Sequence, residues 1–315
     1  MSEHPIDLRR TAAGAAALTG ALAGAAASAD TLAAGPDCTD TLAFIGGGNM
    51  ASALIGGLRT TGLSGARILV IEPSAAQRER LQADFGVRTQ AAADARLAEA
   101  GVIVWAVKPQ LFAAHAAPCA AHLAANPAGA LHLSVSAGIR SDAIGRAIGR
   151  TSGSARVVRS MPNTPALIGR GIAGLYATPA VSAAERERVE QVLAPTGQTL
   201  WVEREADLDA VTALSGSGPA YVFYFLEAMV QAAQAMGLSA AQGRQLALAT
   251  FDGATALAAQ SDEPLGVLRE RVTSKGGTTY AALQAMEGAG ISAAFISAMA
   301  AAQQRARELG DEFGG

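Results

Sequence analysis

Apolar residues are distributed in two different ways along this chain, and the change falls near Glu203. From Thr41 onward, short apolar runs rich in Val, Ile and Leu recur: TLAFI at 41–45, then 67–71, 101–107, 130–135, 156–161, 171–176 and 198–202. Runs of this length bounded by Gly, Pro and Ser predict strands. The stretches between them carry helix signals. Ser74 and Gln77 have the spacing of a capping box opening a charged helix that stops at Gly86, and 182–193 reads as another helix. Apolar strands separated by helices predict a parallel, doubly wound sheet, whose ligand lies at the carboxyl ends of the strands.

Beyond Glu203 no strand signal recurs. SGSGP at 215–219 predicts a break between two helices, with Pro219 accommodated in a first helical turn. A long helical pattern then runs to Met236, stops at Gly237, and resumes from Ser239 to Ala259. In VFYFLEAMVQAAQAMGL the apolar residues occupy nearly every face, more than a single-sided surface helix buries. A partner subunit, here a second copy, is the expected cover.

Residues 1–40 follow neither pattern. Arg9 and Arg10 precede an Ala/Gly/Leu stretch ending in AASAD, a weak likeness to an export signal. The stretch is too poor in bulky residues for a membrane span. It reads as a low-complexity, disordered extension, with the folded protein starting near Asp40.

Length and charge narrow the class. At 315 residues two domains are expected, assigned to 41–204 and 205–315. A net charge of -3 without a basic block provides no footprint for nucleic acid. Cys38 and Cys119 lack metal or disulfide spacing, and His4, His115, His122 and His132 form no ligand pattern. A reduced, cytoplasmic protein without a metal and away from membranes is expected.

The first strand run leads into IGGGNMA, with Gly46, Gly48 and Ala51 in G-x-G-x-x-A register. A strand, a tight turn and a helix start in that order suit a dinucleotide pyrophosphate. Gly46 permits the turn, Gly48 admits the phosphate and Ala51 allows close helix packing. Together with the strand alternation, this defines an α/β fold with a Rossmann-type doubly wound sheet, followed by an all-α dimerisation domain. Lys108 and Ser136 end later strand runs, where a cofactor would lie. Glu72 ends the second run, where an acid bonds a ribose 2′-OH, which favours NADH; Ser74 and Arg78 follow and could hold a 2′-phosphate, so NADPH or NADH remain open. The two prolines of MPNTPA at 161–166 predict a rigid turn suited to a site wall. RVTSKGGTTYAAL at 271–283 reads as a glycine-rich helix start whose amides can hold an anion.

With these pieces placed, the chain resembles the pyrroline-5-carboxylate reductase family from Leu42 to about Ala302. The resemblance rests on FIGGGNMASAL, AVKPQ, SVSAGI, VVRSMPNTPA, ALSGSGPAYVFYFLEAM and VTSKGGTTYAAL, in family order and spacing. Lys275 stands where many members have proline. The resemblance implies a homodimer, sometimes a ring of dimers, that reduces 1-pyrroline-5-carboxylate to L-proline with NADPH or NADH. It implies cofactor contacts at Ile45, Gly46, Gly47, Gly48, Asn49 and Met50, at Ala106, Val107, Lys108 and Pro109, and at Val135, Ser136 and Ala137, beside Glu72 and Ser74. Substrate contacts fall on Ser274, Gly276, Gly277, Thr278 and Thr279, with Thr279 as proton partner of the ring nitrogen. Two rivals stay open. A hydroxyacid or imine reductase would share the architecture, but 215–236 lacks the lysine that class commonly places there; a cofactor-binding sensor would use the GGTT segment only as a helix cap.

Overall fold

Residues 41–126, 129–150 and 154–313 are described by the computed structural model; the extension expected over 1–40 and Cys38 lie outside them. The first part alternates strands and helices: β1 (Thr41–Ile45), α1 (Asn49–Thr60), β2 (Ile68–Ile71), α2 (Ala75–Phe85), β3 (Arg88–Gln90) and β4 (Ala100–Trp105). It continues with α3 (Phe112–Ala124), β5 (Leu131–Ser134), α4 (Ser141–Ala147), β6 (Val157–Met161), β7 (Gly171–Ala177), α5 (Ala183–Leu193) and β8 (Gly197–Trp201). The strands form one sheet in the order β3-β2-β1-β4-β5-β6-β7-β8. The chain order reverses at β1 and β4, which leaves a crevice at their carboxyl ends.

The central strands are buried on both faces, which is why they read as unbroken apolar runs. Phe44, Val70, Val104 and Leu133 pack with Leu54, Ile55 and Leu58 of α1 on one side. Ile45, Ile71, Ile103 and Trp105 pack with Phe112, Ala116 and Ile144 of α3 and α4 on the other. The two layers fix α1 with its N-terminus at the crevice.

Three local expectations are corrected. The sheet is mixed, because β7 runs antiparallel to β6, while every other neighbouring pair is parallel. The MPNTPA turn reverses the chain without a crossover helix long enough to restore direction. Strand β3 was not expected, since a three-residue segment, Arg-Thr-Gln, carries no apolar run. The capping box at α2 is half formed: Ser74 Oγ accepts from Gln77 N at 3.4 Å, but the Gln77 side chain reaches Gly47 O instead.

After β8 the described residues are helical: α6 (Asp207–Val211), α7 (Gly218–Ala235), α8 (Ala240–Ala259), α9 (Leu265–Arg271), α10 (Thr278–Gly288) and α11 (Ile291–Phe313). The break expected at 215–219 falls at Ser217, before α7, and is preceded by a π-helical turn, Thr212–Gly216, that follows α6. Tyr221 Oη donates to Ala213 O at 3.0 Å across it. The Ser239 and Gln242 pair completes a capping box for α8. Phe223 and Tyr224 on α7 are 60% and 70% exposed, so the helix that is apolar on nearly every face lies open along part of its length. No single described helix is long and apolar enough to cross a membrane; α10 and α11 pass such a test only as a pair bent by 54°.

Candidate active site

The crevice is built by four strand ends, those of β2, β1, β4 and β5, tied to one another by three backbone bonds. Gly46 N donates to Ile71 O at 2.9 Å, Ala106 N to Ile45 O at 2.9 Å, and Val135 N to Trp105 O at 3.0 Å. Gly46 has φ +97°, and a Cβ there would sit 2.7 Å from Ala106 O, so the turn requires glycine. Gly48 differs: it precedes α1 with extended backbone and open space where a Cβ would be. The first intrahelical bond is Ser52 N to Gly48 O at 2.9 Å, which leaves the amides of Asn49, Met50 and Ala51 without intrahelical acceptors. The first turn carries no acid, and no side chain caps it. These residues fit a pyrophosphate: a 12-residue helix with its positive end free, faced by room for the anion.

Not every expected cofactor residue presents its polar group to that room. Gly47 N donates to Glu72 Oε2 at 2.9 Å, and Glu72 Oε1 accepts from Ser74 N at 2.9 Å. Ile45 is fully buried, and Val107 and Val135 are buried, so contact there falls to the backbone. Ser136 donates its hydroxyl to Val107 O at 2.6 Å and holds the ends of β4 and β5 together. Lys108 and Ala137 are exposed at those ends, flanked by the half-buried Ala106 and Pro109. Gln77 was missed as a site residue because its spacing from Ser74 suggested capping alone; its amide donates to Gly47 O at 2.6 Å.

The MPNTPA turn joins this crevice to the helices. Asn163 Oδ1 accepts from Ile172 N at 3.0 Å, and its Nδ2 donates to Ser215 Oγ at 3.2 Å. Met161 lies against Gly216 so closely that any Cβ there would collide with it. Asparagine between two prolines was the only sequence signal for this anchor.

The 274–279 segment forms a second glycine turn at a helix start. Gly276 has φ +74°, Gly277 N donates to Ser274 O at 3.0 Å, and Gly277 precedes α10 with extended backbone. The first intrahelical bond is Ala281 N to Gly277 O at 3.1 Å, so the amides of Thr278, Thr279 and Tyr280 are open. Ser274 and Thr278 are exposed and Thr279 is half-buried. Among the described residues no side-chain hydrogen bond joins 274–279 to the sheet. Geometry explains this. The C-terminal end of α11 docks on the loop after β5, where Arg140 reaches Gly310 O at 3.3 Å and Asp311 Oδ1 at 2.6 Å. The helix leads away from there for about 34 Å at 1.5 Å per residue. The 54° bend then carries α10 farther in the same general direction. One copy therefore keeps its two glycine turns apart.

Comparison with known proteins gives the arrangement its place. Residues 41–138 match the family model described as NADP oxidoreductase, coenzyme F420-dependent, and residues 205–309 match that described as pyrroline-5-carboxylate reductase dimerisation. The sheet, its open glycine turn and the helices that follow define a nicotinamide-dinucleotide oxidoreductase. The pyrroline-5-carboxylate reductase of Pseudomonas aeruginosa is 42% identical over 86% of this chain and 97% of its own length. The pyrroline-5-carboxylate reductase structure from Coxiella burnetii aligns with a TM-score of 0.78 at 34% identity, covering 85% of this chain and 98% of that one. A Plasmodium falciparum pyrroline carboxylate reductase with NADP bound aligns at 0.74 with 26% identity, covering 86% and 98%. The chain belongs to the pyrroline-5-carboxylate reductase family.

Proposed function

We propose that this chain reduces 1-pyrroline-5-carboxylate to L-proline with NADPH or NADH. The observation that carries the reading is the pair of open amide turns, one sized for a pyrophosphate at α1 and one for a carboxylate at α10, in a member of this family. When bound, the nicotinamide supplies a hydride to the imine carbon C5. The amides of Asn49 and Met50 hold the pyrophosphate and so fix the cofactor along the strand ends. The amides of Thr278, Thr279 and Tyr280, with the Ser274 hydroxyl, hold the substrate carboxylate and orient the small ring. The Thr279 hydroxyl donates a hydrogen bond to the ring nitrogen; as C5 gains the hydride the nitrogen takes that proton, and the threonine regains one from solvent.

Because the two turns lie apart in one copy, a second copy supplies the substrate turn to each nucleotide site. The chain self-associates through the helical half, whose α7 exposes Phe223 and Tyr224. We assign the nucleotide-binding domain to 41–204 and the dimerisation and substrate-binding domain to 205–315. A cytoplasmic protein, acting away from nucleic acid and membranes and able to stack its dimers into a ring, completes this reading. Expression in cells lacking their own pyrroline-5-carboxylate reductase tests it: growth without added proline is expected. Failure of the folded, soluble chain to restore growth would count against it.

A further inference from the structure

Glu72 closes the end of β2 and bears on which nicotinamide dinucleotide the crevice accepts. Its carboxylate spans two loops, with Oε2 taking the Gly47 amide and Oε1 the Ser74 amide, each at 2.9 Å. Its position is fixed from the side as well. A Cβ on Gly47 would lie 3.3 Å from Glu72 Cβ and 2.7 Å from Leu81 Cδ1, so the stem of Glu72 and Leu81 fill the space behind the glycine turn. Gln77 Nε2 holds Gly47 O at 2.6 Å, which locks the same turn from α2.

The groups that would welcome a phosphate here are partly turned to other partners. Ser74 N is held by Glu72, and Ser74 Oγ accepts from Gln77 N at 3.4 Å. Arg78 folds back on its own turn, with Nη1 donating to Glu72 O at 2.8 Å and Pro73 O at 2.7 Å. A carboxylate oxygen that accepts one amide keeps a lone pair for a ribose hydroxyl, which is a donor. A 2′-phosphate brings only acceptors and a second negative charge to the same place. We propose that Glu72 is the specificity-determining residue of this chain and makes it an NADH-preferring member, through a carboxylate pinned between Gly47 and Ser74. A similar structure holds NADP, so the preference belongs to this turn and not to the family at large.

The proposal rests on the reading that the glycine turn holds a nicotinamide dinucleotide, and equilibrium binding tests the two separately from turnover. NADH and NADPH are titrated calorimetrically into the full chain and its Glu72→Gln and Glu72→Ser variants. The wild-type chain should bind NADH at least about tenfold more tightly than NADPH. Glu72→Gln keeps the size and removes the charge, and should raise NADPH affinity while lowering that for NADH, collapsing the ratio; Glu72→Ser should do the same. Equal or tighter binding of NADPH by the wild type, or an unchanged ratio in a folded Glu72 variant, overturns the proposal alone. Binding of neither nucleotide overturns it together with the reading of the crevice.

Discussion

Arg159 of β6, only 8% exposed, donates to Glu205 Oε1 at 2.9 Å across the seam between the sheet and the helices. Glu205 also accepts from Ser141 N and Ser141 Oγ, both at 2.6 Å, so one carboxylate joins the sheet, the start of α4 and the approach to α6. Removing it strands a buried guanidinium. Glu205→Ala should destabilise the protein by about 2–3 kcal/mol, the low end for a broken buried pair because the carboxylate is partly exposed. Urea unfolding measures this, and an unchanged midpoint would contradict the role.

Gly48 makes a sharper prediction, because stability and function should separate. Its backbone is extended with φ -70°, and a side chain there meets nothing. Aspartate is a good N-cap and interacts well with a helix N-terminus, so Gly48→Asp should hold or raise the melting temperature. The same carboxylate fills the phosphate position and should weaken binding of either dinucleotide by at least about a hundredfold, or ~3 kcal/mol. Unimpaired binding would remove the pyrophosphate from this turn.

His132 predicts a pH dependence. It is buried beside Trp105, whose Nε1 donates to its Nδ1 at 3.1 Å. Burial first, and then the charges of Arg156 and Arg150, push its pKa down to about 3. The unfolded chain binds this proton near its ordinary pKa of about 6.5. The contribution is therefore fully present above that pH and is lost as pH falls toward 3, at up to about 1.4 kcal/mol per pH unit. Unfolding free energies at pH 7 and pH 5.5 should show the loss in the wild type, and His132→Gln should reduce the difference. Equal slopes would contradict the burial of a neutral imidazole.

Thr279 carries the proton-transfer prediction. Thr279→Val keeps the shape and the backbone amide and removes the hydroxyl. Turnover should fall by about a hundredfold with cofactor binding unchanged. Near-normal turnover would refute the assignment.

Completion of the site by a second copy is tested by mixing. Gly48→Asp disables the nucleotide turn and Thr279→Val the substrate turn. If each site draws the two turns from different copies, co-expression creates mixed dimers with one intact site, and about a quarter of wild-type activity returns. If each copy carried a whole site, no activity above the separate variants would return.

Much of this was legible in the sequence because burial on two faces writes β1, β2, β4 and β5 as apolar runs, and because Gly46 and Gly48 stand at fixed offsets between a strand and a helix. The antiparallel β7 was not, since direction within a sheet leaves no mark on hydrophobic period. The π-helical turn was hidden behind a Gly-Ser run that reads equally well as a break. Glu72 was legible as an acid at the end of a strand, but its pinning between Gly47 and Ser74 depends on a long-range approach that no local pattern encodes. The separation of Thr279 from the crevice likewise follows from the length and docking of α11, not from any motif.

The most direct measurement is the stoichiometry of the purified chain given 1-pyrroline-5-carboxylate and each reduced nicotinamide dinucleotide in turn. One L-proline formed for each nucleotide oxidised, with no oxidation when the imine is left out, is the predicted result. Binding of the nucleotide without oxidation in the presence of the imine would contradict the account.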